Sequence, residues 1–344
     1  MRLALLGAGA WGTALSISLA RAHDVVLWAR DSALAETLRT TRNNPRYLPG
    51  YALPANVKID DSLPHAIAAA EVIISIVPTA SLRDVAKLIT REKNTAPLII
   101  ASKGFETGTG KLPYEVCAET LSPDAIVGVI SGPSFAQEVA KGLPAALTLA
   151  AVNQDFASET ARKLSGPRLR VYSSTDVIGV ALGGGLKNVM AIASGISDGM
   201  GLGANARAAL VTRGLAEMAR LGQKLGGHVE TFMGLTGLGD LVLTATGDLS
   251  RNRQVGLQLA QGESLERILQ RLGHVAEGVY SAREAAARAT ALNVDMPITQ
   301  AVCDVINGET SPREALERLL SRDPKPEAND PRSPGIGAAA GEPK

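Results

Sequence analysis

The sequence predicts a doubly wound parallel α/β domain followed by an all-helical domain. Two observations carry that reading. Short β-branched apolar runs alternate with helical patterns through the first half, and after about Asp176 the strand signals stop while helical periodicity continues. A glycine spacing just after the first apolar run adds a tight strand-to-helix turn at the start of the chain.

Seven segments read as strands: Leu3–Leu6, Val25–Trp28, Val72–Val77, Leu98–Ala101, Ile126–Ile130, Ala145–Ala151 and Leu169–Tyr172. Each is nearly continuous in hydrophobicity, as expected where both faces of a parallel sheet are covered. The segments between them, such as Leu82–Leu88 and Phe156–Leu164, read as helices or loops. Val177 to Ser197 and Asn205 to Gln223 then read as long helices. In the second, Leu210, Val211, Leu215, Met218, Leu221 and Leu225 recur at helical spacing and leave Arg213, Glu217, Arg220 and Lys224 for the surface. Further helical patterns lie near Gln254–Ala260, Leu265–Leu272, Ala282–Thr290 and Arg313–Leu320. The expected division is a first domain over 1–176, a helical second domain over 177–322, and a disordered Pro-, Gly- and Ala-rich tail over 323–344.

Composition narrows the function. A chain of 344 residues has length for two cores, and 45% hydrophobic with 20% charged residues is ordinary for a soluble globular protein. Lys plus Arg number 35 against 34 Asp plus Glu, a net charge of +1, which argues against a nucleic-acid binder. Cys117 and Cys303 share no ligand-like spacing and read as free thiols in a reducing compartment; four scattered histidines give no metal pattern. Met1 to Ala22 superficially resembles a secretory signal, yet Gly7, Gly9 and Gly12 interrupt it and Asp24 and Arg30 follow, so a first strand is the better reading. No uninterrupted apolar stretch reads as long enough to span a bilayer, and a cytoplasmic location is expected.

Gly7-Ala8-Gly9-Ala10-Trp11-Gly12 follows the first strand and opens a helix expected at about Thr13. In that context the spacing is the fingerprint of a Rossmann-type dinucleotide site. Gly7 permits the turn, Gly9 lets backbone approach a pyrophosphate, and Gly12 allows close helix–strand packing. The second strand ends Trp28-Ala29-Arg30-Asp31. Arg30 suits the 2′-phosphate of NADP, while Asp31, one position later, can still serve the ribose of NAD.

Three further features carry chemistry. Lys187 follows Gly183-Gly184-Gly185 within a helical stretch, and apolar flanks suggest a partly buried amine whose pKa would fall toward proton transfer. Lys103 sits beyond the strand Leu98–Ala101, at the carboxyl edge where open α/β sheets bind ligands, and Asp240 in a glycine-rich turn could orient a lysine. In Gly247-Asp248-Leu249-Ser250-Arg251-Asn252, Ser250 reads as a helix N-cap. A helix end carrying a hydroxyl, a guanidinium and an amide is a cradle for phosphate, although alone it is equally a plain surface cap.

With these residues in place, the chain resembles bacterial NAD(P)-dependent glycerol-3-phosphate dehydrogenases from about Met1 to Pro326. The matching blocks are Gly7–Leu15, Ala101–Glu106, Ser131–Thr148, Gly183–Leu221, Thr231–Val255 and His274–Ala282. The resemblance implies reversible conversion of sn-glycerol 3-phosphate to dihydroxyacetone phosphate, serving phospholipid synthesis, with Lys187 as the proton acceptor or donor. It implies substrate contacts from Lys103, Gly132, Ser134, Asp240, Ser250, Arg251 and Asn252. It also implies cofactor contacts from Gly7, Gly9, Ala10, Trp11, Gly12, Arg30, Lys103, Ala136, Arg251, Val275 and Glu277. Ala10, Ala181, Gly185 and Ala204 depart from residues common in the family, and Ala181 removes a possible acidic partner of Lys187. Two other readings are a related lysine-dependent dehydrogenase of 3-hydroxy or sugar acids, and a non-catalytic dinucleotide sensor. The adjacent Lys187 and Asn188 favour the first family over such acid dehydrogenases. Homodimerisation through the helical domain is compatible with the sequence.

Overall fold

A computed structural model describes residues 1–272 and 276–322. Ten strands occur among them: β1 (Arg2–Leu6), β2 (Asp24–Trp28), β3 (Asn43–Asn44), β4 (Leu48–Ala52), β5 (Lys58–Asp60), β6 (Val72–Ser75), β7 (Leu98–Ile100), β8 (Val127–Ser131), β9 (Ala145–Ala151) and β10 (Leu169–Ser174). Eight form one sheet in the order β10-β9-β8-β7-β6-β1-β2-β5; β3 and β4 pair separately as a small antiparallel ribbon. All seven apolar runs become strands of the large sheet. Its sides are the two cores of this half of the chain, with Leu5, Leu27 and Ile74 in one cluster and Leu6, Ile73 and Ile100 in the other. That alternation is the two-residue period of a strand covered on both faces.

The sheet is not wholly parallel. β8 and β9 run antiparallel, with Gly128 opposite Ala151 and Ser131 opposite Thr148. Their connection contains one helix, Ala136–Lys141, of six residues. At about 1.5 Å per residue that helix spans roughly 9 Å, too little to carry the chain back along a strand, so it re-enters at the same edge. The next connection carries the eleven-residue helix Gln154–Leu164, and β10 returns parallel to β9.

The first helix begins at Ala10, three residues before the expected Thr13, with Gly9 as an N-cap that offers no side-chain bond. Asp176 caps the helix Val177–Gly199, its Oδ1 accepting from Gly179 N at 2.8 Å. That helix belongs to two cores. Val177, Val180 and Ala181 pack on the sheet, whereas Leu182, Leu186, Val189 and Met190 pack among the C-terminal helices. By length and composition it is apolar enough to cross a membrane, which corrects the expectation from sequence, but 89% of its most apolar window is buried inside this protein. It is a core helix.

The helix Gly203–Lys224 corrects a second expectation. Glu217 does not face solvent; it is 1% exposed. Its carboxylate accepts from Ile298 N at 2.6 Å, Thr299 N at 3.1 Å and Thr299 Oγ1 at 3.0 Å. Those donors open the helix Pro297–Asn307, so Glu217 caps a neighbouring helix from outside it.

Candidate active site

Lys187 lies midway along the helix Val177–Gly199, its residue 7% exposed. Its Nζ donates to Asp240 Oδ1 and, at 2.9 Å, to Thr244 Oγ1. Lys103 Nζ donates to the other carboxylate oxygen, Asp240 Oδ2, at 2.7 Å. Asp240 therefore holds two ammonium groups, one from the carboxyl edge of the sheet and one from the helical core. Burial pushes the Lys187 pKa down to about 8, with Asp240 opposing and Lys103 assisting. Burial pushes the Asp240 carboxyl up, but the two lysines outweigh it and hold it below its usual value.

The local backbone explains how these groups meet. Asp240 is not in a turn, as the glycines around it suggested; Leu235–Gly239 forms a single π-helical turn and Asp240 opens the helix Asp240–Thr246. Thr244, four residues on, shares its face and donates to the Asp240 carbonyl at 2.6 Å. Each glycine before Lys187 faces a different neighbour. A Cβ on Gly183 would lie 2.7 Å from the Thr236 carbonyl oxygen, one on Gly184 2.6 Å from Ser131 Oγ, and one on Gly185 3.2 Å from the Gly104 backbone. The run lets one helix touch the Asp240 segment, the end of β8 and the Lys103 loop together.

A second helix end lies close to these groups, linked to them through Asn188, Glu277 and Gly278. Ser250 caps the helix Arg251–Ala260, accepting from Arg253 N at 3.2 Å. Asn252 Oδ1 accepts from Gly278 N at 3.0 Å, and Asn188 Nδ2 donates to Glu277 Oε2 at 3.4 Å. Burial raises the Glu277 carboxyl above its ordinary value, while the charges of Arg251, Lys103 and Lys187 all act on it in the opposite sense. All three cations lie within electrostatic reach of this one acid. Arg251 is exposed, and its side chain makes no hydrogen bond or salt bridge among the described residues. Packing fixes this end against the Lys187 helix, since a Cβ on Gly256 would stand 2.1 Å from the Ile192 carbonyl oxygen and one on Gly195 2.1 Å from that of Arg253.

At the amino end the residues fit a dinucleotide. Gly7 adopts φ +121°, and a Cβ on Gly12 would stand 1.9 Å from the Gly7 carbonyl oxygen. A Cβ on Gly9 would meet nothing within 4 Å, so the face of the loop that presents bare backbone is open. A cavity of about 200 Å³ adjoins it, lined by Gly7, Gly9, Trp28, Arg30, Asp31 and Tyr47 among others. Asp31 Oδ1 is committed to capping the helix Ser32–Thr41, accepting from Ala33 N at 3.0 Å and Leu34 N at 3.2 Å. Arg30 is exposed and makes no hydrogen bond or ion pair among the described residues.

Comparison with known proteins decides the family. Models described as the N-terminus and C-terminus of NAD-dependent glycerol-3-phosphate dehydrogenase match residues 2–157 and 176–317. Over 327 residues the chain is 53% identical to a glycerol-3-phosphate dehydrogenase [NAD(P)+] of Dechloromonas aromatica, covering 95% of this chain and 99% of the relative. The chain belongs to the NAD-dependent glycerol-3-phosphate dehydrogenase family. The enzyme of that name from Methylibium petroleiphilum is 56% identical, over 96% of this chain and 100% of the relative. The crystal structure of glycerol-3-phosphate dehydrogenase from Coxiella burnetii superposes with a TM-score of 0.89 at 40% identity, covering 93% of this chain and 99% of that one.

Within this glycerol-3-phosphate dehydrogenase fold, the residues singled out from sequence fall into three groups. Lys103, Lys187, Asp240, Arg251, Asn252 and Glu277 are joined by the contacts and charges just described, with Ser250 capping the helix that carries Arg251. Gly132 and Ser134 follow β8, the Ser134 hydroxyl donating to the Gly132 carbonyl at 3.0 Å, and Ala136 opens the next short helix. Gly7, Gly9, Ala10, Trp11, Gly12 and Arg30 lie at the carboxyl ends of β1 and β2. Val275 lies outside the described residues. The sequence reading missed Thr244, whose only signal was its four-residue offset from Asp240. It also missed Ser131, buried beside Gly184 with a hydroxyl that has no hydrogen-bond partner among the described residues. Ala181 is buried against the sheet, and Asp240 and Thr244 supply the Lys187 contacts that an acid there was thought to provide.

Proposed function

We propose that the chain interconverts sn-glycerol 3-phosphate and dihydroxyacetone phosphate, with Lys187 as general acid and base. The carrying observation is a buried lysine hydrogen-bonded to Asp240, with the helix end at Arg251 within electrostatic reach of the same acid, Glu277, as Lys187. A bound nicotinamide supplies or accepts the hydride. Lys187 holds the proton at Nζ. As an ammonium it donates to the oxygen of the carbonyl being reduced, and as an amine it accepts from the hydroxyl being oxidised. A value near 8 keeps both forms within reach of neutral pH.

Asp240 orients Lys187 and Lys103 and offsets their charge, leaving Lys103 to meet substrate and cofactor at the sheet edge. Ser250, Arg251 and Asn252, with the helix N–H groups behind them, bind the substrate phosphate. Gly132 and Ser134 add further substrate contacts. Gly7, Gly9, Ala10, Trp11, Gly12, Ala136, Val275 and Glu277 line the dinucleotide, and Arg30 favours NADP while NAD remains usable. The same reading makes 1–176 the dinucleotide-binding domain, with Val275 and Glu277 added from the second domain, and 177–322 the substrate domain, with Lys103, Gly132 and Ser134 added from the first. It places the enzyme in the cytoplasm, supplying glycerol 3-phosphate for phospholipid synthesis. Exposed Met233, Leu238, Val242 and Leu249 on the helical half support association with a second copy, which sedimentation would read.

The test follows nicotinamide absorbance with purified protein, NADPH and dihydroxyacetone phosphate, then with 3-hydroxy and sugar acids in the oxidative direction. Turnover confined to the triose phosphate pair supports the reading. Turnover only of the acids, or binding of NADPH without turnover of either class, overturns it.

A further inference from the structure

The ribbon formed by β3 and β4 is not one of the sheet's layers, yet it is bolted to the glycine-rich loop. Asn44 is fully buried. Its Nδ2 donates to the Ala8 carbonyl at 2.9 Å and to Thr13 Oγ1 at 2.7 Å, while its Oδ1 accepts from Tyr47 N at 3.2 Å. One amide thus ties the carbonyl between Gly7 and Gly9 to the turn that follows β3. The turn carries Tyr47 to the mouth of the cavity at the carboxyl ends of β1 and β2. It also carries Arg46, whose guanidinium lies 5.0 Å over the Tyr47 ring and whose Nη1 stands 3.7 Å from Asp31 Oδ2.

The consequence is electrostatic. Asp31 shares the cavity mouth with Arg30, and an unopposed carboxylate there would cancel Arg30 and repel a phosphate. Oδ1 of Asp31 is committed to helix N–H groups, and Oδ2 is the oxygen that Arg46 faces. We infer that Arg46 is a specificity-determining residue for the cofactor 2′-phosphate, acting by neutralising Asp31 so that the positive charge of Arg30 stands uncancelled. The inference rests on the dinucleotide reading proposed above.

The experiment measures binding without turnover. Titration calorimetry gives the affinities of 2′,5′-ADP and 5′-AMP, which differ only in the 2′-phosphate, for the full chain and its variants. Arg46→Ala should lower the ratio of the two affinities by about three- to tenfold, with most of the change in 2′,5′-ADP, because an exposed pair is partly screened. Arg46→Lys should keep the ratio near wild type. Adding Asp31→Asn to Arg46→Ala should restore it, since the acid to be neutralised is gone while its capping oxygen remains. An unchanged ratio in Arg46→Ala, or no recovery in the double variant, overturns the role given to Arg46. Arg30→Ala separates the two levels. If it abolishes the ratio while Arg46→Ala does not, the Arg30 reading stands and this inference fails. If the wild-type chain itself shows no preference for 2′,5′-ADP, both fail.

Discussion

Asp240 grips Lys187 through one carboxylate oxygen while the other holds Lys103, so a single acid joins the sheet edge to the helical core. With only 1% of the Asp240 side chain exposed, the three groups form a unit with a net positive charge. That arrangement suits a site that must bind an anionic substrate and still release a proton on demand.

Removal of the Lys187 ammonium should lower turnover by about two to four orders of magnitude, because the oxygen of the reduced carbonyl loses its proton source. Dinucleotide affinity should change little. A Lys187→Ala variant keeping more than about a tenth of the wild-type rate would remove Lys187 from the chemistry.

The same lysine sets a pH dependence. With its pKa lowered to about 8, the amine needed for oxidation accumulates as pH rises through that value, while the ammonium needed for reduction is lost. Oxidative rates should therefore climb across pH 8 and reductive rates fall. Asp240→Asn removes a group that favours the ammonium, so the midpoint of both profiles should move to lower pH. A midpoint unmoved in Asp240→Asn would show that a different group titrates.

Much of this was legible in the sequence, for a physical reason. Parallel strands covered on both faces are continuous apolar runs, and glycines forced by backbone contact are conspicuous in a helix. The antiparallel step at β9 was hidden because strand direction depends on the length of the connection rather than on the strand's own residues. Edge strand β5 was hidden because its Lys58-Ile59-Asp60 carries no apolar run. Glu217 was misread because a helical wheel records polarity and not the partners waiting in a helix eighty residues further along. The helix Pro297–Asn307 did announce itself, by Pro297 at its start and Gly308 in a left-handed cap, but it lay between two better patterns.

Two glycines should separate packing from binding. Gly256→Ala drives a Cβ against the Ile192 carbonyl, and backbone cannot swing aside, so stability should fall by about 1–3 kcal/mol and substrate affinity with it as the Arg251 end shifts. Gly9→Ala meets no atom of the protein, so the fold should be nearly indifferent while dinucleotide binding weakens at least tenfold. Thermal unfolding beside dinucleotide titration reads both. Equal behaviour of the two variants would contradict the geometry.

Glu217 should make stability depend on pH. Burial raises its carboxyl from 4.5 in the unfolded reference to about 7, despite three hydrogen bonds that oppose the shift. The native state therefore holds this proton more tightly. Its contribution is fully present below about pH 4.5 and is lost as pH rises through 7, by about 3 kcal/mol at most. Glu217→Gln cannot titrate. Its stability relative to wild type should improve between pH 5 and pH 8 in urea unfolding, and a constant difference would refute the raised value.

The substrate class is tested most directly at Arg251. On the proposed reading, a phosphate at the helix end would be remote from the reacting carbon, and its binding energy would position the carbonyl instead of acting on it. Dihydroxyacetone lacking phosphate should then be a very poor substrate, with the loss appearing in kcat as well as in KM. Arg251→Ala should slow turnover of dihydroxyacetone phosphate by about tenfold to a hundredfold, the worth of one charge-assisted contact of about 1.5–3 kcal/mol. It should scarcely affect the unphosphorylated compound, which has no phosphate contact to lose. The preference ratio must therefore shrink in the variant. If both substrates slow by the same factor, Arg251 acts through the cofactor or the fold, and the phosphate is held elsewhere.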